Sequence, residues 1–192
     1  METTTRITIE TFKTVTKAIA QSDNLEVMTQ HLAQLLVAAL DIKACAIYVL
    51  DLETRQLELL SSFGLSPRYL IKGPIHADKS IADNLQGKPI VVSDVGQSEK
   101  IQYPEQAKDE GVASIISVPI AFMNEIIGAL RLYHHEIWKI SNQDLESLQL
   151  LAENVGLAMS YTSLCNAIYS ISEVVQAVGV GRCPHLWRSP EE

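Results

Sequence analysis

The chain has 192 residues, of which 47% are hydrophobic, and a formal net charge of −8, so it can form one domain with a full core plus short extensions. Its acidic surface opposes contact with phosphate backbones, and we expect no direct nucleic-acid partner. No apolar run approaches the roughly 18 residues of a membrane helix and no signal peptide precedes the domain, which predicts a cytoplasmic protein without a membrane contact.

Two amphipathic helices are predicted at the beginning of the chain. Residues 8–20 place Phe12, Val15 and Ile19 on one helical stripe. Residues 25–40 repeat leucine and methionine at helical spacing, which predicts a second helix with a broad buried face. Ser22-Asp23 precede it, with Glu26 at capping-box spacing, and predict its N-cap.

The period changes to that of strands after the second helix. Residues 44–50 and 56–63 predict a hairpin, and the glycines and prolines of residues 64–88 predict loops with helical turns at 80–85. A short strand is predicted at 90–92. Pro104 suits the first turn of a short helix that runs to about Glu110.

A second hairpin and a long helix complete the chain. Residues 115–120 and 126–133 are apolar runs separated by a polar tip at Asn124-Glu125. Ser141 and Asp144 predict a cap for a helix that runs to about residue 178. We expect a domain over 1–160, a helical extension over 161–179 and a disordered tail over 180–192.

This order of elements resembles a GAF domain from about residue 10 to 160. The residues that carry the resemblance are Ala46 to Asp51, Pro89 to Val95, Glu110-Gly111, Ser117 to Ile120, Ile127 to Tyr133 and the helix from Asp144 to Ala158. The resemblance implies an α+β fold with an antiparallel sheet of five or six strands. Terminal helices would cover one face of the sheet, and loops with short helices would roof a small-molecule pocket on the other.

Several kinds of chemistry known in this family lack their residues in this chain. Residues 64–112 contain no cysteine to attach a bilin or to reduce free methionine sulfoxide, and the Asn-Lys-Phe-Asp-Glu pattern of cyclic-nucleotide binders is absent. No catalytic constellation is evident, so we expect a protein that is not an enzyme. The sequence requires no cofactor, and the ligand is left unassigned.

Five residues near the expected pocket are candidate ligand contacts. Ser93 and Asp94 close the lone strand, where the resemblance implies that the pocket begins; alternatively, Asp94 is a turn carboxylate that accepts from nearby backbone. Tyr103 opens the helix that would roof the pocket, where it could stack on a ligand or only pack. Ser114 and Ser117 are hydroxyls in an apolar strand, and alternation does not say which face they share with the pocket.

Arg131 and Tyr133 are the remaining candidates, and they share one face of the last strand. An arginine among isoleucine, leucine and alanine predicts an anionic ligand. The alternative is a surface arginine paired with Glu58 or another carboxylate.

Two motifs suggest a metal or haem and are set aside. His134-His135 predicts no metal site, because neighbouring strand residues point to opposite faces. Cys183-Pro184 resembles a haem-regulatory dipeptide, but it lies in the expected tail.

The last helix carries a second apolar stripe beyond the part that should cover the sheet. Its members are Leu157, Tyr161, Leu164, Ile168, Ile171, Val175 and Val178, which alternate steps of four and three as in a coiled coil. We expect a homodimer built from this stripe and the stripe of Phe12, Val15 and Ile19. The alternative is that the late stripe folds back on the first helix of its own chain.

Three functions follow in order of preference. The first is a sensor that binds a small molecule non-covalently and signals through the helical dimer. Because no output domain is expected after Gly179, the signal would pass to a separate protein, or the domain would be a regulatory subunit. The second is a ligand-free dimerisation module, and the third is a redox or haem sensor that uses Cys45, Cys165 or Cys183.

Overall fold

The computed structural model describes residues 7–20, 24–77, 83–98 and 101–177. Five helices and six strands lie within these ranges. They are α1 (Ile9–Ala20), α2 (Leu25–Leu40), β1 (Ala44–Asp51), β2 (Gln56–Phe63), α3 (Pro67–Leu70), β3 (Ile75–His76), β4 (Ile90–Val92), α4 (Pro104–Asp109), β5 (Ser114–Phe122), β6 (Glu125–His134) and α5 (Asn142–Ala177). Single turns of 3-10 helix occupy Asn84–Gln86 and Val95–Gln97. The predicted tail, with Cys183-Pro184, and residues 80–82 of the predicted turns at 80–85 lie outside the described residues.

The strands form one antiparallel sheet in the order β3-β2-β1-β6-β5-β4. This is the α+β fold that the resemblance implied, with six strands. Strand β3 was not predicted, because two residues are too few to establish an alternation. Its Ile75 pairs with Leu57 and thereby ties the following loop to the sheet edge.

Alternate strand residues divide the core into two layers. One face of the sheet packs against α1, α2 and α5 through a cluster that includes Ile47, Val118 and Leu130. The other face lies under α3, α4 and the described residues of the segments next to them, which we call the roof. Both layers were predicted, and each strand supplies both because successive side chains point to opposite faces.

Turns and caps follow from local chemistry, with one departure from prediction. Asn24 is the N-cap of α2, whereas the predicted Ser22-Asp23 lie outside the described residues; the side chain of Asn24 accepts hydrogen bonds from the backbone N–H of Glu26 and Val27. Met123 and Asn124 both have positive φ between β5 and β6, as a two-residue hairpin turn requires.

The predicted Ser141 cap of α5 is confirmed, and its partner Asp144 also anchors Ile7, just before α1. The backbone N–H of Asp144 donates to Ser141 Oγ, at 3.0 Å, and Ser141 Oγ donates to the Asp144 carboxylate, at 2.8 Å. The other oxygen of Asp144 accepts from the backbone N–H of Ile7, at 2.9 Å.

The stripe of α1 packs inside its own chain, which corrects the expectation that it lies at a dimer interface. Val15 is 1% exposed and belongs to the core under the sheet, while Phe12 and Ile19 are half-buried against the same core. Helix α1 contacts α2 and α5 of its own chain. Val15 therefore offers no surface to a partner.

Helix α5 presents different faces along its length. Leu148, Leu151, Val155 and Met159 are buried in the helix-side core, and Thr162 is the last buried residue of α5 up to Val175, where the described side chains of the helix end. Among the described residues, no helix is both long enough and apolar enough to cross a membrane.

Candidate functional site

A pocket lies between the roof and the sheet. Its floor comes from β4, β5 and β6, and its upper wall comes from α3 with the segment behind it and from the residues before α4. The lining residues are Tyr69, Lys72, Ile75, Ile90, Val92, Ile101, Gln102, Tyr103, Ile115, Ser117 and Arg131. Three predicted candidates, Tyr103, Ser117 and Arg131, meet here.

The charge of this pocket is opposite to that of the whole chain. Arg131 and Lys72 line it, and no aspartate or glutamate is among the described lining residues. Arg131 is 6% exposed. The alternative of a surface arginine is therefore wrong, since Arg131 is buried.

A cluster of tyrosines surrounds the buried arginine. The Arg131 Cζ lies 5.5 Å from the ring centroid of Tyr48, whose hydroxyl is 3.2 Å from that of Tyr133. Tyr69 meets Tyr133 edge to face at 5.9 Å. Burial raises the pKa of Tyr133 and Arg131 opposes that rise, so the phenols stay neutral next to a positive charge. Tyr133 thus interacts with Arg131 but is not itself among the lining residues.

Lys72 is the second cation of the pocket, and sequence reasoning missed it. Its Nζ lies 3.9 Å from the ring centroid of Tyr69 and donates to the Tyr69 carbonyl at 3.1 Å. Burial, followed by the charge of Arg131, lowers the pKa of Lys72 to about 8, although Glu110 opposes the shift. A lysine in a loop gives no periodic signal, so only the fold reveals its position.

Gln102 and Tyr103 hold the two sides of the upper wall together. The Tyr103 hydroxyl donates to the Pro74 carbonyl at 2.8 Å, and Gln102 Nε2 donates to the same oxygen at 3.0 Å. Gln102 Oε1 accepts from the backbone N–H of His76 at 3.1 Å. Gly73, at φ +130°, faces the Tyr103 hydroxyl so closely that a Cβ would collide with it. We call these contacts the latch.

Ser117 is fixed by Asn84, which is fully buried and was not predicted. Ser117 Oγ donates to Asn84 Oδ1 at 2.6 Å, and Asn84 Nδ2 donates to the carbonyl oxygens of Ser117 and Lys88 at 3.0 and 2.7 Å. The Ser117 hydroxyl is thereby a fixed part of the pocket floor.

The other predicted contacts do not line the pocket. The carboxylate of Asp94 caps the turn at Val95–Gln97 by accepting from the Gly96 N–H at 2.8 Å, which is the alternative of a turn carboxylate. Ser93 precedes it and is absent from the lining. Ser114 Oγ donates to the Glu136 carbonyl at 2.9 Å.

Comparison with known proteins decides the family. The sequence matches the family model of the GAF domain over residues 22–160. The chain belongs to the GAF domain family. No curated protein sequence matches it.

Solved GAF structures share the fold at low sequence identity. The GAF domain of a phosphoenolpyruvate-protein phosphotransferase from Coxiella burnetii superimposes with a TM-score of 0.73 at 17% identity, covering 83% of this chain and 96% of that one. The corresponding Acinetobacter domain gives 0.70 at 15% identity, with the same coverage. The free methionine-R-sulfoxide reductase from Neisseria meningitidis, in complex with its substrate, superimposes with a TM-score of 0.69 at 17% identity. The match covers 81% of this chain and 90% of that one.

The described thiols of this GAF domain lie away from the pocket. Cys45 is fully buried in the helix-side core, and burial raises the pKa of its thiol, which opposes thiolate chemistry. Cys165 lies on α5. Neither is a pocket-lining residue, so the described thiols give the redox alternative no site in the pocket.

The histidine pair at the end of β6 differs from its prediction. The rings of His134 and His135 stack with centroids 4.6 Å apart, because the strand ends at His134 and the alternation of faces ends with it. With Glu136, they bring possible metal-ligand atoms within 4.8 Å of one another. However, His134 Nδ1 accepts from the Glu136 backbone N–H at 2.9 Å, which uses the lone pair that an ion would need at that nitrogen.

Proposed function

We propose that this GAF domain is a cytoplasmic sensor that binds a small molecule non-covalently in the roof pocket and signals through a homodimer of α5. The observation that carries the proposal is a pocket with apolar walls, two cations and fixed polar groups, on the face of the sheet opposite α5. Pockets of this composition are typical ligand sites. We propose binding rather than catalysis, because the lining offers no nucleophile paired with a base.

The size of the pocket indicates that its upper wall moves when ligand enters. The cavity volume is about 30 Å³, whereas pockets for drug-sized ligands measure roughly 300–1,000 Å³. A ligand of more than a few atoms must displace the latch. The alternative function, a ligand-free dimerisation module, also predicts a cavity this small, because its interior would be filled by side chains.

The floor of the pocket is joined to the signalling helix by close backbone packing. Ser117 and Arg131 are paired residues on neighbouring strands β5 and β6. Further along β5, Ala121 lies so close to Gly156 of α5 that a Cβ at Gly156 would collide with the Ala121 carbonyl oxygen. A shift of β5 on ligand binding would therefore move α5, because the two backbones are in direct contact.

The exposed stripe of α5 supports a dimer. Leu157, Tyr161, Leu164, Ile168, Ile171 and Val175 are each between 40% and 64% exposed, and we call them the seam. Soluble proteins rarely leave such a surface uncovered. Apolar residues spaced alternately by three and four are typical of helices that pair as a coiled coil, here with a second copy of α5. Leu150 lies seven residues before Leu157 on the same helix and is 52% exposed. It therefore continues the line of the seam toward the beginning of α5.

Disruption of the seam tests the dimer. Ile168→Asp and Ile171→Asp should each give monomers with an unchanged thermal unfolding midpoint for the domain, because a buried charge at a coiled-coil position is costly. Asn166→Asp, at an exposed position between seam residues of the same helix, is the matched control and should leave the dimer intact. Light scattering during gel filtration measures the mass. A wild-type chain that is already monomeric would refute the dimer.

A compound titration tests the pocket. A set of neutral, cationic and anionic fragments is added to ¹⁵N-labelled protein, and the backbone amide shifts are recorded. We expect at least one compound to shift the amides of Ile115, Ser117 and Arg131 in a saturable way. If the whole set leaves these amides unmoved while the chain is dimeric, the dimerisation module is the better account.

A further inference from the structure

The two cations of the roof pocket define what it can bind. In a chain of net charge −8, Arg131 and Lys72 line one small cavity whose described lining includes no carboxylate. Two like charges close together in a partly buried site repel each other, and a bound anion relieves that repulsion. The carboxylate of Glu110 acts on Lys72 from outside the lining. It already accepts from the backbone N–H and the hydroxyl of Ser66 and lies 3.6 Å from Lys43 Nζ.

The hydrogen-bond donors of the pocket limit the number of oxygens that a bound anionic group can have. The Ser117 hydroxyl donates to Asn84, and the Tyr103 hydroxyl donates to the Pro74 carbonyl. Lys72 and Arg131 are the charged donors that line the cavity, and both are suited to carboxylate oxygens. The rest of the floor is apolar, with Ile90, Val92 and Ile115. This arrangement fits an anion with two oxygens and an apolar body better than inorganic phosphate, which has four oxygens and no apolar body.

We propose that the pocket binds a small carboxylate, with its oxygens held by the Arg131 guanidinium and the Lys72 ammonium and its apolar body against Ile90, Val92 and Ile115. This proposal rests on the proposed function, because it names the ligand class of the same pocket.

Binding of such an anion is linked to the proton of Lys72. In the free protein the pKa of Lys72 is about 8, through burial and the charge of Arg131 against the opposing effect of Glu110. Tyr69 packs its neutral ring on the ammonium. A carboxylate next to Lys72 raises this pKa, so the complex takes up a proton near pH 8 and above. Affinity is then constant below about pH 8 and falls by up to about tenfold per pH unit above it.

The test compares a carboxylate with its uncharged counterpart. The probes are 4-methylpentanoate, 4-methylpentanamide and inorganic phosphate, titrated calorimetrically into the full chain at pH 7 and pH 9.5. We expect the carboxylate to bind at least about tenfold more tightly than the amide or phosphate at pH 7, because an ion pair in a partly buried site contributes more than a neutral contact. Its affinity should fall at pH 9.5.

Variants assign the effect to the two cations. Lys72→Gln and Arg131→Gln should each weaken carboxylate binding at pH 7 by about tenfold or more. Lys72→Arg should preserve binding at pH 9.5, because arginine stays charged there. Arg68→Gln is the control, since Arg68 is exposed and pairs with Asp109 at 3.2 Å, and it should change nothing. Should Arg131→Gln fail to fold, the two Lys72 variants still decide the outcome.

Contrary results separate this inference from the proposed function. Equal binding of carboxylate and amide, tighter binding of phosphate, absence of saturable carboxylate binding, or carboxylate affinity that is unchanged in Lys72→Gln would each overturn the inference. If a neutral compound nevertheless shifts the pocket amides, the small-molecule pocket stands. If no compound of any charge does so, the ligand-binding function falls as well.

Discussion

Glu110 connects three segments around the roof. Its carboxylate accepts from the backbone N–H of Ser66, at 3.0 Å, and from the Ser66 hydroxyl, and it lies 3.6 Å from Lys43 Nζ. Ser66 is the N-cap of α3, Glu110 follows α4, and Lys43 precedes β1. The side chain of Glu110 is 8% exposed. One carboxylate therefore holds both short helices of the roof to the sheet.

Glu110→Gln should destabilise the fold in a pH-dependent manner. Burial alone would raise the pKa of Glu110, but the hydrogen bonds from Ser66 and the charge of Lys43 bring it below its usual value of 4.5. The stabilisation is therefore present above pH 4.5 and is lost as the pH falls through the lower pKa of the folded state. We expect the variant to lose about 1–3 kcal/mol of unfolding free energy at pH 7, and the difference to shrink below pH 4.5.

Urea denaturation at pH 7 and pH 3.5 measures this difference. Glu105→Gln is the control, because Glu105 is exposed and pairs with Lys108 three residues away. It should change the stability by less than about 0.5 kcal/mol. A loss in Glu110→Gln that is the same at both pH values would contradict the role given to the carboxylate charge.

The sequence predicts part of the site at this scale. Period-two alternation correctly places Arg131 and Tyr133 on a common face, but alternation is symmetric and does not reveal that this face is the roof side. Lys72 and Gln102 come from loops, where neighbours in space are distant in sequence. Asn84 is missed because its partner Ser117 lies 33 residues away.

At the scale of elements, the contact between α5 and β5 is the central feature. Gly156 lies where α5 crosses β5, and a side chain there would meet the Ala121 carbonyl oxygen and Ile120 Cγ2. Alanine is the better helix former by about 1 kcal/mol. The gain is opposed by overpacking against backbone, which costs about 1–3 kcal/mol and cannot be relieved by a change of rotamer.

Gly156→Ala should therefore destabilise the domain by about 2 kcal/mol, because the collision of a Cβ with the Ala121 carbonyl oxygen places the overpacking cost at the upper end of its range. Ser163→Ala, an exposed substitution in the same helix, should be neutral or slightly stabilising. Urea denaturation of the two variants supplies the measurement. Equal stability of Gly156→Ala and wild type would show that α5 can move away from β5 without cost, and would remove the mechanical link to the pocket.

Element bounds were predicted where the sequence has a clear period or a sharp break. Helix α2 has leucines at helical spacing before Asp41, which adopts a left-handed C-cap, and β4 follows Pro89. Strand β3 has neither signal. The stripe of α1 was recognised, but an apolar stripe has the same sequence pattern whether it packs on its own chain, as Val15 does, or on a partner.

At the scale of the whole molecule, the pocket and the seam lie on opposite sides of one sheet. The floor strands β5 and β6 bear Ser117 and Arg131 on the roof side, and β5 packs against α5 on the other. A ligand that favours one position of β5 would shift the equilibrium of the proposed dimer by its difference in affinity for the two positions. Couplings between sites in one protein are typically about 1–3 kcal/mol, or about 5–150-fold in an equilibrium constant.

The dimer dissociation constant, measured by analytical ultracentrifugation with and without a compound that shifts the pocket amides, tests the sensor most directly. We predict that saturating compound changes this constant at least about fivefold in the wild type. Arg131→Gln, which lacks one of the two pocket cations, should show a smaller change under the same conditions. An identical dissociation constant at saturation, with the compound bound, would contradict the account, because the pocket and the helix would then be uncoupled.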